Sequence, residues 1–409
     1  MDEIKYGLLG RKLGYSYSKL IYEYCGLEYK LIEKEEDELD SFFKERKFKA
    51  INVTIPYKEK VIKYLDNLVG VASILKVVNL IINKGGLLYG YNTDYDGFFF
   101  LLNEFDSFNN LRNKSILILG TGATSKTIQK VLLDNNISYK LASSKNGYDY
   151  IYDELKTLEF DYVINATPVG TNPNISDSIN VKGINIVDVI YNPYKTRLAI
   201  NNSFKYSGLD MLIIQAIKSI ELIEGKCNRT FKEIKSHLFN KISNIVLIGM
   251  PGSGKTTIAR LLSKKLNKDY CDTDEIIERS RDINEIFSYC GEEKFRLIES
   301  EIINDCSLLN NTIIATGGGV VKKEENMKRL MGNGVIIYLK RDLDEIKKDL
   351  KNRPLIKNDN DLIKLFNERK DLYIKYSDYV VENIEINKTI DEIIKILSNM
   401  EWWDKWLLH

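Results

Sequence analysis

A chain of 409 residues is longer than one hydrophobic core ordinarily fills, and it calls for two or three domains. Lys plus Arg number 59 against 58 Asp plus Glu, a formal net charge of +1, so no global field draws the chain to nucleic acid or to an anionic membrane. The 5 cysteines show no C-x-x-C spacing and read as reduced thiols of a cytoplasmic protein, and residues 1–14 hold no apolar stretch of signal-peptide length. No apolar run approaches the length of about 18 residues that a membrane span needs. The 2 histidines, His237 and the terminal His409, exclude a histidine-rich metal site and leave proton transfer to Lys, Asp, Glu or Tyr.

Along the chain, short β-branched runs alternate with amphipathic helical stretches, which predicts α/β architecture with largely parallel sheets. Strands are expected at 5–10, 49–54, 115–119, 162–165, 184–189, 244–248, 312–315 and 335–339. The strand at 49–54 runs into Asn52-Val-Thr54-Ile-Pro56-Tyr-Lys58, and another ends at Gly90-Tyr-Asn92-Thr93-Asp94. Brought together, Lys58 and Asp94 make an acid/base pair for carbonyl–alcohol interconversion, the carboxylate keeping the ammonium charged while the lysine hydrogen-bonds the reacting oxygen. Either residue alone is a surface lysine or a turn aspartate.

Next, the strand at 115–119 feeds Gly120-Thr-Gly122-Ala123-Thr-Ser125, a G-x-G-x-x-S turn that brings a pyrophosphate against a helix N-terminus. The following strand ends at Ser143-Ser144-Lys145, with no acid to take ribose hydroxyls; two hydroxyls and a lysine suit a 2′-phosphate better. A helix is expected over 208–226, packing back on the first unit, and the polar stretch 225–243 places the major boundary near Lys241.

Beyond it, an apolar strand opens on Gly249-Met-Pro-Gly252-Ser253-Gly254-Lys255-Thr256-Thr257, the spacing G-x-x-x-x-G-K-[ST]. Such a loop curls backbone N–H groups toward phosphates, with Lys255 reaching the β- and γ-phosphates and the Thr256 hydroxyl on Mg²⁺. Tyr270-Cys-Asp272-Thr-Asp274, Phe295-Arg296-Leu-Ile-Glu299, Ala315-Thr-Gly317-Gly318-Gly319, Arg353-Pro354-Leu355 and Arg369-x-x-Leu-Tyr373 follow in order. Singly, the first reads as an acidic turn and the second as a surface ion pair; the three glycines allow close backbone approach to a ligand, and Arg353-Pro354-Leu355 lies in a mobile-looking stretch.

In this order they resemble shikimate kinase over 243–400. The resemblance implies that Asp274, Arg296, Gly318 and Arg369 hold shikimate, that Asp272 belongs to the Mg²⁺ shell, and that Gly252, Ser253, Gly254, Lys255, Thr256 and Thr257 take ATP. Arg353 is the implied stabiliser of the transferring phosphoryl group, while the arginine that the family packs on adenine is replaced near Asp349 in a shortened segment.

Residues 4–240 in turn resemble shikimate dehydrogenase, through Ser16-x-Ser18, N-V-T-x-P-x-K at 52–58, Val78-Asn79, N-T-D at 92–94, the glycine turn, Asn165-Ala-Thr-Pro168, Asp188-x-x-Tyr191-x-Pro193, and Gly208-Leu-Asp-Met211 with Gln215. By that resemblance Lys58 and Asp94 are the catalytic pair, and Ser16, Ser18, Thr54, Asn79 and Gln215 hold the substrate. Gly120, Gly122, Ala123, Ser143, Ser144 and Lys145 would take the nicotinamide cofactor, though the family's arginine for the 2′-phosphate is absent.

Together the resemblances imply a substrate-binding α/β domain at 1–98 (with 208–240 packing on it), a Rossmann NADP-binding domain at 99–207, and a P-loop domain like the nucleoside-monophosphate kinases at 243–409. The implied activities are consecutive: NADPH-dependent reduction of 3-dehydroshikimate to shikimate, then MgATP-dependent phosphorylation of shikimate. Two alternatives stay open, an NAD-linked quinate/shikimate oxidoreductase fused to a kinase, and a degenerate nucleotide-binding regulatory protein. A homodimer is compatible with the sequence. The tail from Glu401 to His409 holds all 3 tryptophans and reads as a terminal helix on the kinase or as a docking element.

Overall fold

The computed structural model describes residues 4–14, 16–105, 108–280, 282–349 and 359–398. Each expected strand is present, and the described strands form three sheets in chain order.

The first sheet is built from β1 (Ile4–Gly10), β2 (Tyr29–Glu33), β3 (Phe48–Val53), β4 (Asn67–Leu68), β5 (Leu80–Lys84) and β6 (Leu87–Tyr91), ordered β2-β1-β3-β5-β6-β4. β1 and β3 are parallel, while β3–β5 and β5–β6 are antiparallel. Two reversals make β6 run the same way as β3, so the C-terminal ends of β1, β3 and β6 and the start of β5 share one edge. That edge receives the loops bearing Lys58 and Asp94, and Asn79 just before β5. Leu9, Ile51, Val53, Val78 and Ile81 are buried in the core behind it.

The second sheet holds β7 (Ile116–Leu119), β8 (Lys140–Ser143), β9 (Tyr150–Ile151), β10 (Glu159–Asn165), β11 (Lys182–Asp188) and β12 (Phe204–Ser207). All pairs are parallel, in the order β12-β11-β10-β7-β8-β9. Read from the other edge this is the dinucleotide-binding order, with its switch point between β7 and β10. The fully buried Ile116–Leu119 strand is what a parallel sheet covered on both faces demands.

The third sheet holds β13 (Asn244–Ile248), β14 (Asp269–Asp272), β15 (Thr312–Ala315), β16 (Gly334–Lys340) and β17 (Tyr379–Glu382), ordered β14-β15-β13-β16-β17 and parallel throughout. Five strand ends therefore meet at one edge.

The helices that carry site residues are α1 (Tyr17–Tyr24), α2 (Asp94–Phe105), α3 (Ala123–Asp134), α4 (Gly208–Glu224), α5 (Lys255–Leu266), α6 (Thr273–Glu278), α7 (Ile283–Ser307) and α8 (Asp359–Tyr376). α4 starts where the Ser207 hydroxyl accepts from Leu209 N–H at 3.1 Å and stops at Gly225 with φ 82°. A Cβ on Gly208 would lie 1.9 Å from the Val189 carbonyl oxygen, so only glycine lets α4 begin against that backbone. α7 restarts at Gly291 (φ 79°, ψ 172°), which sets the direction of the turns bearing Arg296 and Glu299.

Contacts divide the chain into two compact units. The first comprises 1–169, 179–194 and 202–239; the second comprises 170–178, 195–201 and 240–409. The second unit thus includes two short excursions of the earlier sequence: 170–178 is bound within it by Asn172 Nδ2 donating to Leu308 O at 3.2 Å, and 195–201 by Arg197 to Glu325 at 2.6 Å and by Lys195 N–H to Gly332 O at 2.9 Å. All 5 cysteines are free thiols, and Cys271 lies 2.8 Å from Cys306 and Cys25 3.9 Å from Cys227, sulfur to sulfur. No described helix is long and apolar enough to cross a membrane.

Candidate active sites

In the first unit, Lys58 Nζ lies 2.6 Å from Asp94 Oδ2, with only 13% and 9% of the two side chains exposed. Asp94 opens α2, where its charge favours the helix N-terminus. Its other oxygen accepts from Asn79 Nδ2 at 2.9 Å, and the same amide reaches Gln215 Oε1 at 3.2 Å. Asn79 Oδ1 accepts from the Thr93 N–H at 2.7 Å, which fixes which way the amide faces. Lys58, Asn79, Asp94 and Gln215 are thereby joined in one hydrogen-bonded chain.

Beneath it lies a layer that the sequence did not single out as a site. Thr93 Oγ1 and Ser219 Oγ are 3.0 Å apart, Asn52 Nδ2 reaches Ser219 Oγ at 3.4 Å and Asn79 O at 3.3 Å, and Tyr29 OH donates to Asn52 Oδ1 at 2.8 Å. Asn52, Thr93 and Ser219 are all buried. Their signal was present for Asn52 and Thr93, which stand inside the two polar strand-end motifs; Ser219, one turn beyond Gln215 on α4, had none.

Ser16, Ser18 and Thr54 stand outside this bonded chain. Ser16 and Ser18 are buried at the start of α1, which packs against α4, and the Ser16 hydroxyl is buried without a hydrogen-bond partner. Thr54 is half-buried in the loop that leads to Lys58. Tyr17 and Tyr191 meet with ring centroids 5.4 Å apart; burial, and then the charge of Asp94, raise the Tyr191 phenol above its ordinary range.

At the second sheet, Gly120 follows β7 with φ 98°, and Gly122 is the N-cap of α3, which begins at Ala123. Ser125 stands where a third glycine would, and its hydroxyl donates to Gly120 O at 2.6 Å, closing the turn from within. Past β8, the buried Ser143 hydroxyl accepts from the Lys145 N–H at 3.2 Å, whereas Ser144 and Lys145 are exposed. Of the three, Ser143 is buried within the turn and the other two face outward. Asn165 and Asp188, at the ends of β10 and β11, bond side chain to side chain at 3.1 Å.

In the second unit, Lys255 Nζ donates to Gly249 O at 2.9 Å and Met250 O at 2.8 Å, curled back on its own loop. Gly252 and Gly254 have φ 79° and 90°, Ser253 is fully buried, and Asn383 at the end of β17 clamps Ser253 O at 2.8 Å. A cavity of about 290 Å³ is bordered by Gly252, Gly254, Lys255, Thr256, Thr257, Asp272, Asp274, Thr316, Gly318 and Arg341, among others.

Asp272 divides its oxygens between two tasks. Oδ1 caps α6 by accepting from the N–H groups of Asp274 at 3.0 Å and Glu275 at 3.2 Å, while Oδ2 accepts from Thr256 Oγ1 at 2.6 Å. One carboxylate and one hydroxyl are hard oxygen donors of the kind Mg²⁺ uses beside substrate phosphates. Among the described residues no group of three or more His, Cys, Asp or Glu is placed to hold a metal by itself.

The flank that bears Arg296 and Arg369 is crowded with charge. Arg296 pairs with Glu299 at 2.8 Å and Glu292 at 3.1 Å. A Cβ on Gly319 would lie 2.1 Å from Arg296 Nη2, and one on Gly317 would lie 2.7 Å from Asp274 Oδ1 and 2.9 Å from Glu299 Oε1. The glycines are therefore what lets these side chains reach the loop. Burial pushes Glu299 above the usual carboxylate range, with Arg296 opposing. Arg369, 1% exposed, donates to Gly318 O at 3.0 Å, and Tyr373 OH donates to the same oxygen at 2.5 Å. Arg369 Nε and Nη2 and Glu299 Oε1 are buried with no hydrogen-bond partner. Arg353, the substituted position near Asp349 and the tryptophan-bearing tail lie outside the described residues or side chains.

Family models match two parts of the chain: the shikimate dehydrogenase substrate binding domain at residues 8–81 and shikimate kinase at residues 251–398. The chain is 35% identical over 246 residues to the shikimate dehydrogenase (NADP(+)) of Clostridium beijerinckii, spanning 53% of this chain and 90% of that protein. It is 43% identical over 163 residues to the shikimate kinase of Clostridium botulinum (strain Alaska E43 / Type E3), spanning 38% of this chain and 98% of that protein. The crystal structure of shikimate dehydrogenase 1 from Peptoclostridium difficile matches with a TM-score of 0.51 and 32% identity, covering 57% of this chain and 99% of that one.

Proposed function

Because this one chain belongs both to the shikimate dehydrogenase family and to the shikimate kinase family, we propose that it is a bifunctional enzyme of consecutive steps. It reduces 3-dehydroshikimate to shikimate with NADPH, and it phosphorylates shikimate to shikimate 3-phosphate with MgATP. In this reading 1–98 with 208–240 hold the first substrate, 99–207 the nicotinamide cofactor and 243–409 the kinase. The observation that carries it is the pairing of a 2.6 Å Lys58–Asp94 couple with a Gly249–Thr256 phosphate loop on one polypeptide.

In the reduction, the bound nicotinamide supplies the hydride. Lys58 gives the proton to the carbonyl oxygen as it becomes an alcohol, and Asp94 holds that ammonium charged and aimed. Asn79 fixes Asp94, Gln215 accepts from Asn79, and both hold the substrate, with Ser16, Ser18 and Thr54 taking its carboxylate and hydroxyls. The unpartnered Ser16 hydroxyl supports that role. Gly120, Gly122 and Ala123 take the pyrophosphate; for a 2′-phosphate the exposed Ser144 and Lys145 are better placed than Ser143.

In phosphoryl transfer, Thr256 and Asp272 would hold Mg²⁺, which neutralises phosphate charge when bound. Gly252, Ser253, Gly254 and Thr257 cradle the phosphates, and Lys255 exchanges its two carbonyl partners for phosphate oxygens. Asp274 takes an acceptor hydroxyl, and Arg296, Gly318 and Arg369 form the carboxylate side of the site. The unpartnered nitrogens of Arg369 support this, because a buried guanidinium with idle donors is costly until an anion meets them. Arg353 is assigned the transferring phosphoryl group.

Initial rates with 3-dehydroshikimate and NADPH or NADH, and ATP turnover with shikimate, test the reading. It predicts reduction favouring NADPH and shikimate-dependent ADP release. Reduction by NADH alone would move the first half to the NAD-linked alternative, and silence in both assays would favour a regulatory protein.

A further inference from the structure

Arg341 follows β16 directly, and its place is fixed from both sides. Before it the strand pairs with β13; after it Asp342 Oδ1 accepts from the Asp344 N–H at 2.8 Å and starts the helix Leu343–Asp349. The guanidinium is thereby held at the sheet edge, and its Nη1 donates to Gly252 O in the phosphate loop at 2.9 Å.

Sheet order assigns the two flanks of that loop. β15 and β14 lie on one side of β13 and bring Thr316, Gly318, Asp272 and Asp274; β16 lies on the other and brings Arg341. The carboxylate-rich flank suits an alcohol acceptor and a cation, and repels a phosphate chain. On the opposite flank Arg341 borders the same cavity as Lys255 and Thr256.

We propose that Arg341 is a nucleotide-binding residue of the kinase site, donating to the phosphate chain of the bound nucleoside polyphosphate. This rests on the kinase reading above. A peptide carbonyl is a neutral acceptor, whereas a phosphate is an anion whose oxygens can take parallel N–H bonds from the guanidinium fork. The planar fork can keep one donor near Gly252 while others turn to phosphate oxygens, which a lysine cannot do.

Arg341→Gln removes the charge and the fork and leaves a shorter amide, and Arg341→Lys keeps the charge without the fork, so the two variants together separate phosphate binding from loop support. Calorimetric titration of the full chain with ADP is expected to show about tenfold weaker binding for Arg341→Gln and Arg341→Ala. Arg341→Lys should be intermediate, and the ATP KM should rise with the ADP Kd while the shikimate KM and the dehydrogenase rate stay within about twofold. An ADP Kd for Arg341→Gln equal to that of the unaltered chain overturns the proposal, whatever Arg341→Ala does to folding. If the unaltered chain binds ADP but transfers no phosphoryl group to shikimate, the acceptor assignment fails while the Arg341 comparison still reads the nucleotide contact.

Discussion

The two sites are prepared in opposite ways. Around Lys58 the groups we assign to the reduction already satisfy one another: ammonium on carboxylate, carboxylate on amide, amide on a second amide, with buried hydroxyls behind. Around Gly317–Gly319 buried charges are left incomplete, with two Arg369 nitrogens and one Glu299 oxygen lacking partners and Lys255 resting on loop carbonyls. A proton-transfer site can be closed beforehand, because its donor and acceptor exchange roles within one network. A site for two anionic ligands must keep donors in reserve, since a cation fully paired inside the protein has nothing left for phosphate or carboxylate.

The largest expected effect falls on the reserve. Lys255→Ala should lower phosphoryl transfer about 10⁴-fold while leaving reduction intact, measured by parallel steady-state assays. Lys58→Ala should do the reverse, lowering reduction about 10³-fold with ATP turnover on added shikimate unchanged. Equal losses in both assays for either variant would erase the contrast and point to general unfolding. Arg369→Ala should raise the shikimate KM of the kinase about a hundredfold, because the group removed is a buried charge whose idle donors await an anion. An unchanged KM would mean that those nitrogens serve the fold.

Smaller effects probe the closed network. Gly208→Ala places a Cβ 1.9 Å from Val189 O and should cost about 3 kcal/mol, lowering the first unit's thermal transition and not the second's. Ser219→Ala removes a hydroxyl behind Thr93 and Gln215 and should raise the dehydroshikimate KM about threefold without altering kcat. A fall in kcat instead would place Ser219 closer to the proton path than the hydrogen bonds put it.

What was legible in the sequence follows the same division. Lys58 and Asp94 could be found because each ends a strand in a compact polar motif, and the phosphate loop because its glycine spacing is set by backbone geometry. Asn79 at the head of the antiparallel β5 explains why those two strand-end motifs converge, but that pairing is a property of the sheet order and not of any local stretch. Ser219 meets Thr93 and Asn52 across 126 and 167 positions of chain, an ordinary polar residue whose role exists only once α4 lies beside β3 and β6. Arg341 had no motif, being one basic residue among the 59. The two excursions at 170–178 and 195–201 that join the second unit were likewise invisible, since nothing in their composition differs from an ordinary loop. The Ser125 hydroxyl shows the converse: where the chain departs from the glycine pattern, a side-chain bond closes the turn.

The central claim is that one chain carries 3-dehydroshikimate through both steps, and a single reaction tests it. The purified full chain is given 3-dehydroshikimate, NADPH and MgATP, and products are followed by mass spectrometry. In samples taken when the unaltered chain has finished, the account predicts shikimate 3-phosphate from the unaltered chain, shikimate almost alone from Lys255→Ala, and only traces of either product from Lys58→Ala until shikimate is added. Shikimate 3-phosphate formed from 3-dehydroshikimate as fast by Lys58→Ala as by the unaltered chain, or its absence from the unaltered chain when shikimate itself is supplied, would contradict it.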